Sequence, residues 1–166
     1  MWIREETSAD HEAIARVIGA AFATAPLAGG NEARIVAALR AAHALSVARV
    51  ADIDGRIAGY VAISPVTLDD GSPGWFGLGP VAVDPRDRGR GVGSALVRAA
   101  LAELPAQGAR GCVVLGEASW YARFGFRPIP GLRFEAAPAA HFQALLIGEG
   151  VAPQARVDYH PAFFIA

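Results

Sequence analysis

Hydrophobic residues near the N-terminus repeat with helical spacing after one short β-rich segment. Residues 3–6 are typical of a short strand. A helix with one buried face is then predicted by apolar residues at i, i+3, i+4, i+7 and i+8, namely Ile14, Val17, Ile18, Ala21 and Phe22. Residues 26–30 interrupt the pattern, and a second helix follows with the apolar positions Ile35, Val36, Leu39 and Ala42. The pattern therefore predicts one strand followed by two helices.

Three β-rich runs come next, at residues 47–53, 57–66 and 75–83. Asp54-Gly55 separates the first two runs and is a strong signal for a tight turn between antiparallel strands. The second run is almost continuously apolar, which is typical of a central strand covered on both faces. Residues 68–74 are polar and rich in Gly and Pro, so they are predicted to form a turn. Three successive antiparallel strands are expected.

A helix and a strand are predicted after the third run. The helix is indicated by apolar positions at Gly93, Leu96, Val97, Ala100, Leu101 and Leu104, and the strand by residues 112–115. A strand, helix and strand joined by short links imply a parallel strand pair. Residues 120–124 predict a short helix, residue 125 begins an extended segment, and residues 142–147 form one further apolar run. We expect a mixed α/β sheet with flanking helices, built as a single domain over residues 1–166.

Composition restricts the class of protein. The chain has 166 residues, 19% charged residues and a net charge of −1, which favours a folded domain and disfavours a nucleic-acid binder. All 15 basic residues are arginine, so chemistry that requires a lysine is excluded, including Schiff bases and the P-loop. One cysteine, Cys112, excludes a disulfide framework and is expected in the core. The four histidines show no metal-binding spacing, and no metal site is predicted.

Nothing in the sequence indicates export or membrane insertion. The N-terminal segment is acidic and lacks an apolar signal core. No apolar run reaches the about 20 residues that a membrane span requires. We therefore expect a cytoplasmic protein with no membrane partner.

Residues 81–94 join a strand to a helix through a loop that contains three glycines and three arginines. The first turn of a helix has unpaired amide N–H groups and a partial positive charge. Glycines allow a phosphate to approach those amides, and Arg86, Arg88 and Arg90 add fixed positive charge. The loop is therefore interpreted as a pyrophosphate-binding site.

Two common phosphate-binding motifs do not fit this loop. A dinucleotide-binding fingerprint requires a third glycine where Ser94 stands, and it normally opens a βαβ unit rather than following antiparallel strands. A P-loop requires a lysine. The remaining alternative is an ordinary helix start beside a solvated run of arginines, although three glycines at a helix start lower helix stability.

The loop and two flanking segments resemble the GNAT superfamily of N-acetyltransferases. Residues 88–93 read Arg-Gly-Arg-Gly-Val-Gly and match the family's Arg/Gln-x-x-Gly-x-Gly/Ala motif. Residues 78–85 are similar to the family's strand ending in Val-x-Pro, and residues 121–126 match its Tyr-x-x-x-Gly-Phe. The resemblance covers about residues 1–130. Residues 131–166 would form a C-terminal extension that completes the sheet and the acceptor side, and residues 159–164 resemble the YhbS-like branch of the superfamily.

The resemblance implies a GNAT-like fold with splayed strands in a mixed central sheet, and acetyl-CoA as co-substrate. Residues 88–94 would bind the CoA pyrophosphate, with Ser94 adding a hydroxyl group. Pro80 fits a bulge in the preceding strand because it has no N–H, and the strand backbone would then pair with pantetheine. The Val81 N–H would polarise the thioester carbonyl. The implied cofactor-binding residues are Val81, Ala82, Val83, Arg88, Gly89, Arg90, Gly91, Val92, Gly93, Ser94 and Ser119.

Tyr121 is the predicted catalytic residue, because it lies four residues before Gly125, where the family keeps the tyrosine that protonates the leaving thiolate. The alternative is an aromatic anchor of a short helix. Two departures from the family pattern are apparent. Residues 75–83 contain no acid that could act as general base. A water relay, an amine that arrives partly neutral, or a residue elsewhere would replace it, and Glu32, Glu117 and His141 are the candidates. The turn before Tyr121 lacks the family's asparagine, which Ser119 would replace.

Three functional hypotheses follow. The first is direct transfer of an acetyl group from acetyl-CoA to an amine of a small molecule or peptide. The second is a non-catalytic acyl-CoA-binding or sensing domain on the same fold. The third is a protein-interaction module whose arginine loop binds an acidic partner. The terminal residues 163–165 leave two alternatives, pairing in a homodimer or packing on the chain's own sheet.

Overall fold

The computed structural model describes residues 1–23 and 30–165, and its helices and strands occur in the predicted order. The strands are β1 (Trp2–Glu5), β2 (Val47–Ile53), β3 (Arg56–Pro65), β4 (Thr67–Leu68), β5 (Trp75–Val83), β6 (Gly111–Leu115), β7 (Leu132–Arg133), β8 (Phe142–Leu146) and β9 (Ala155–Asp158). The helices are α1 (His11–Phe22), α2 (Glu32–Ala41), α3 (Val92–Ala102) and α4 (Ala118–Tyr121). The break predicted at residues 26–30 lies, apart from Gly30, outside the described residues.

The predictions were incomplete after β3 and near the C-terminus. β4 occupies the start of the segment predicted as a turn, and no strand begins at residue 125, where only an isolated bridge joins Arg127 to Ala144. β7 and β9 were not predicted. These strands have two and four residues, which is too short for an alternating pattern to be recognised.

The described residues form two compact units, and the first contains the predicted phosphate-binding loop. It draws on residues 1–63, 80–102 and 161–165. β1 pairs antiparallel with β2, and β2 pairs antiparallel with β3. One face of α1 packs into a core with α2 and β3 through Ile14, Val17, Ile18, Val36 and Tyr60, as the helical spacing predicted.

The start of α3 is fixed by its close approach to β3 at Gly59. A Cβ added at Gly59 would lie 2.8 Å from Cδ1 of Leu96, 2.9 Å from the carbonyl oxygen of Ala82 and 3.0 Å from Cγ1 of Val92. At position 59, only glycine leaves room for both the α3 side chains and the Ala82 carbonyl oxygen of β5. The first turns of α3 therefore pack on the β3 backbone at Gly59 through the Val92 and Leu96 side chains.

The C-terminal residues pack on α2 within the first unit. Phe163 and Ile165 contact a cluster that includes Ile35 and Leu39, and the carbonyl oxygen of Ile165 accepts a hydrogen bond from the Asn31 side chain at 3.0 Å. The segment therefore packs on a helix of its own unit and not on the sheet, and pairing in a homodimer stays a prediction.

The second unit comprises residues 64–79 and 103–160, and it contains Tyr121. Residues 75–78 of β5 pair with β6 in parallel, which confirms the predicted parallel pair. β6 pairs antiparallel with β8, and β4, β9 and β7 form a small second sheet. β5 continues five residues beyond Leu78, the last residue paired with β6, and its residues 80–83 belong to the first unit.

Replacing Gly59 by alanine is expected to destabilise the protein by about 1–3 kcal/mol, because the new methyl group meets a backbone oxygen and two packed side chains. Gly19 is the matched control, since it lies in α1 and a Cβ there meets nothing within 4 Å. Gly19→Ala should raise stability slightly through helix propensity. Urea unfolding measures both variants, and equal stability of the two would contradict the close packing.

Candidate functional site

The loop between β5 and α3 has the backbone geometry that an anion-binding loop requires. Residues 85–87 form a short 3-10 helix whose first turn is capped by the Asp84 carboxylate, which accepts a hydrogen bond from the Arg86 amide at 3.1 Å. Gly89 and Gly91 have φ values of 77° and 79°, and a Cβ at either would point into open space. The chain therefore reverses direction at two exposed glycines, directly before α3 begins at Val92.

An ion pair between a partly exposed arginine and a buried carboxylate anchors this loop. The Asp87 side chain is 1% exposed and accepts hydrogen bonds from both terminal nitrogens of Arg56, at 2.6 and 3.0 Å. Hydrogen bonding to Arg56 holds the pKa of Asp87 below its usual range despite burial. The Arg90 guanidinium lies further from the same carboxylate, at 3.9 Å.

Arg88 is engaged outside the loop. Its guanidinium donates a hydrogen bond to the carbonyl oxygen of Ala21 at 3.0 Å. Ala21 lies in the last turn of α1, where carbonyl groups lack helical partners, so Arg88 acts as a cap that ties the loop to α1. A direct phosphate contact from Arg88 remains a prediction.

The second half of β5 presents backbone groups along one edge. The Asp84 amide donates to the carbonyl oxygen of Ala58 on β3 at 2.8 Å. Because amide directions alternate along a strand, the N–H groups of Val83 and Val81 point away from β3. Gly79, with a φ of 144°, and Pro80 stand where β5 leaves its pairing with β6, which agrees with the irregularity expected there.

Tyr121 lies in an aromatic cluster of the second unit, at the end of α4. Its ring contacts Trp120, Phe124 and Phe126, with centroid distances of 4.9, 6.4 and 5.9 Å. A Cβ at Gly116 would lie 2.5 Å from Cε2 of Tyr121, so the ring rests on the backbone just after β6. Burial raises the pKa of the Tyr121 phenol to about 12, with a smaller contribution from Cys112. The phenol is therefore protonated at physiological pH.

Ser119 and the three candidate bases are divided between the units. The Ser119 hydroxyl donates to the Glu117 carboxylate at 3.1 Å, on the exposed turn that precedes Tyr121. The His141 carbonyl accepts a hydrogen bond from the Gly116 amide in the same unit. Glu32 lies in the first unit, where its carboxylate accepts the Asn31 amide at 3.1 Å, as expected of an acid at a helix start.

The ion pairs of the first unit were not predicted from the sequence. Glu6 accepts hydrogen bonds from Arg40 at 2.7 and 3.1 Å and from the buried Tyr60 hydroxyl at 2.8 Å. Arg56 and Asp87 lie 31 positions apart, and Arg40 and Glu6 lie 34 apart. Pairs at such separation carry no local spacing signal. Only the unusual placement of an acid, Asp87, inside a basic loop could have indicated a partner.

A comparison with known families decides the identity of the fold. Residues 43–128, about half of the chain, match the family model described as an acetyltransferase (GNAT) domain. The chain belongs to the GNAT acetyltransferase family. The resemblance found in the motifs and the predicted GNAT-like fold class are thereby confirmed.

Two relatives from Escherichia coli K12 carry the name uncharacterized N-acetyltransferase. YhbS is 41% identical over 96 residues, which are 57% of this chain and 58% of YhbS. YjhQ is 35% identical over 114 residues, which are 65% of this chain and 62% of YjhQ. The chain therefore aligns with less than two thirds of the length of each relative.

Solved structures are similar over nearly the whole chain. A GNAT family acetyltransferase from Brucella melitensis, in complex with acetyl-CoA, is 43% identical with a TM-score of 0.86, covering 98% of this chain and 97% of that one. The E. coli YhbS structure, in complex with CoA, is 32% identical with a TM-score of 0.87, covering 98% and 91%. Within residues 1–23 and 30–165, no helix is long and apolar enough to cross a membrane.

All three tyrosines are expected to resist ionisation in the folded protein. Burial is the main cause that raises the pKa of Tyr60, Tyr121 and Tyr159, and only Tyr121 stays near 12. A tyrosine in an unfolded chain has a pKa of about 10. The stability contributed by these groups is therefore complete below pH about 10 and is lost as pH rises through the folded values.

Ultraviolet titration of tyrosinate measures this directly. The folded protein should show no ionisation around pH 10, and the first signal should come from Tyr121 and be missing in Tyr121→Phe. The unfolded chain in denaturant provides the reference titration. A tyrosine that titrates with a pKa of about 10 in the folded protein would contradict the burial of these phenols.

Proposed function

We propose that this chain, acting as one GNAT-type domain, transfers an acetyl group from acetyl-CoA directly to an amine of a small molecule or peptide. The observation that carries the proposal is the loop with Gly89 and Gly91 at the start of α3, in a chain of the GNAT family. The Brucella and YhbS neighbours, in complex with acetyl-CoA and CoA, support the choice of co-substrate.

The loop supplies the groups that a pyrophosphate requires. Its glycines leave open space above the backbone, so phosphate oxygens can approach the amides that open α3. The helix dipole and the exposed Arg90 favour the negative charge. We assign the pyrophosphate to residues 88–94, with the Ser94 hydroxyl as an additional donor.

The edge of β5 is proposed to bind the pantetheine arm. The outward N–H groups of Val81 and Val83 would pair with its amides as an added strand does, with Ala82 facing β3 between them. The Val81 N–H would donate to the thioester oxygen and stabilise the negative charge that develops there. Ser119 is the proposed further contact to pantetheine.

The chemistry is attack by the amine nitrogen on the thioester carbonyl carbon, followed by cleavage of the carbon–sulfur bond. The amine loses one proton to a base, and the sulfur leaves as a thiolate that takes a proton from solvent water. Proton transfer from a phenol of pKa about 12 to a thiolate of about 8.5 is uphill by about 5 kcal/mol. Tyr121 is therefore assigned as the hydrogen-bond donor that stabilises the sulfur as it leaves.

Water or Glu117 is proposed to accept the amine proton. β5 contains no acid, and Glu32 and Glu117 each accept one hydrogen bond, from the Asn31 backbone amide and the Ser119 hydroxyl respectively. Glu117 is preferred because it is close to Tyr121 along the chain. Glu117 is exposed and begins the helical turn that ends at Tyr121. The missing acid on β5 is also the observation that favours the second candidate function, a non-catalytic acyl-CoA-binding domain.

Saturating acetyl-CoA is expected to raise the melting temperature. A ligand at about 100 times its Kd adds about 2.7 kcal/mol, which corresponds to about 5–10 °C for a domain of this size. Gly91→Glu should abolish the shift because it places a carboxylate in the loop. Gly71→Glu is the matched control, since Gly71 also has a positive φ, 81°, and open space at Cβ. The shift should persist in Gly71→Glu, and a shift that also survives in Gly91→Glu would refute the proposed binding loop.

Tyr121→Phe is expected to lower kcat about 10- to 100-fold, the effect of losing one hydrogen bond to a developing charge. KM for acetyl-CoA should stay the same, because the hydrogen bond forms only as the sulfur departs. Steady-state thiol release with an accepting amine measures both. Trp120→Phe controls for packing, since Trp120 contacts the Tyr121 ring and has no role in the reaction. Unchanged kcat in Tyr121→Phe would remove the assignment.

The same experiment separates the two candidate functions. A catalyst releases CoA when an accepting amine is present. A binding domain gives the thermal shift with acetyl-CoA but no thiol release across a broad amine panel. That result would replace the transferase proposal with the acyl-CoA-binding one.

A further inference from the structure

The three arginines of the phosphate-binding loop are engaged to very different degrees. Arg86 contacts the Asp84 carboxylate at 3.3 Å, and Arg88 donates to the Ala21 carbonyl at 3.0 Å. Arg90 has its ion pair only at 3.9 Å, from Asp87. Its side chain is 69% exposed and that of Arg86 is 67% exposed, so the contact distance distinguishes the two. Arg90 is therefore the loop arginine that can turn to a ligand phosphate at the least expense in existing contacts.

Arg90 contacts Asp87 only weakly because Arg56 already donates to both oxygens of the Asp87 carboxylate. Arg56 donates to both carboxylate oxygens of Asp87, at 2.6 and 3.0 Å, in the two-pronged geometry that suits a guanidinium and a carboxylate. The Asp87 side chain is 1% exposed, so Arg56 and the loop shield its charge from water. Without Arg56, the nearest cation in the loop that could neutralise Asp87 is Arg90.

We propose that Arg56, on β3, is a positioning residue for CoA binding: by pairing with Asp87, it keeps Arg90 available for a phosphate group of the ligand. The inference rests on the proposed function. Arg56 lies about 30 positions before the glycine motif. Unless Arg56 pairs with Asp87, the Asp87 carboxylate competes with the ligand phosphate for Arg90.

The test is the Kd of free CoA, measured by isothermal titration calorimetry on variants whose fold is checked by circular dichroism. Arg56→Ala should weaken binding about tenfold, as should Arg90→Gln, because each removes one charge-assisted contact to phosphate. The double variant Arg56→Ala/Arg90→Gln should bind no more weakly than Arg56→Ala alone, since Arg90 is already drawn to Asp87. Arg16→Ala, an exposed arginine of α1, is the control and should leave the Kd unchanged.

Removing the competitor should rescue binding. Arg56→Ala/Asp87→Asn should return the Kd to within about twofold of the original protein, and Arg90→Gln in that background should again cost about tenfold. These two variants also test the proposal if Arg56→Ala alone does not fold, because they leave no unpaired buried charge.

Two results would overturn the inference while the proposed function stands. One is a Kd for Arg56→Ala equal to that of the original protein. The other is a double variant in which the effects of Arg56→Ala and Arg90→Gln multiply, since Arg90 would then have been available all along. If the unaltered protein does not bind CoA, the proposed function fails and this inference fails with it.

Discussion

The close approach of α3 to β3 at Gly59 is the constraint on which the proposed phosphate-binding loop depends. A side chain at this position would meet Leu96, Val92 and the backbone of Ala82, so only glycine lets the helix begin where it does. The Arg56–Asp87 pair fixes the other end of the loop from the same strand. Between these two anchors, Gly89 and Gly91 can adopt their left-handed backbone without disturbing the packing below. The open loop is therefore supported by the tight packing at Gly59 and by the Arg56–Asp87 ion pair.

Arginine has a structural role throughout that unit. Glu6, Asp10 and Asp87 are carboxylates with little exposure, and each accepts two hydrogen bonds from one guanidinium, of Arg40, Arg4 and Arg56 respectively. The planar guanidinium can contact both oxygens of a carboxylate at once, which a lysine ammonium cannot do as well. In a chain without lysine, some arginines consequently form ion pairs with carboxylates and others are exposed to solvent. Charge counted along the loop overstates the positive charge that a ligand would meet.

The sequence was informative where the signal is local. Helical spacing located α1, α2 and α3, the apolar run of residues 57–66 located β3, and the glycine motif located the loop. The two-residue strands β4 and β7 were missed because they have no periodicity of their own. The partners of Arg88 and Asp87 were missed because they lie 67 and 31 positions away. Backbone direction at Val81 and Val83 also required the structure, since it follows from one hydrogen bond between Asp84 and Ala58.

The most direct test of the central claim is backbone amide NMR during titration with CoA. If the loop binds the pyrophosphate, the largest shift changes should fall on the amides of residues 89–94 and on Val81 and Val83, while the small sheet of β4, β9 and β7 stays unchanged. Shift changes confined to other parts of the chain, with residues 89–94 unaffected at saturation, would contradict the assignment of this loop as the binding site.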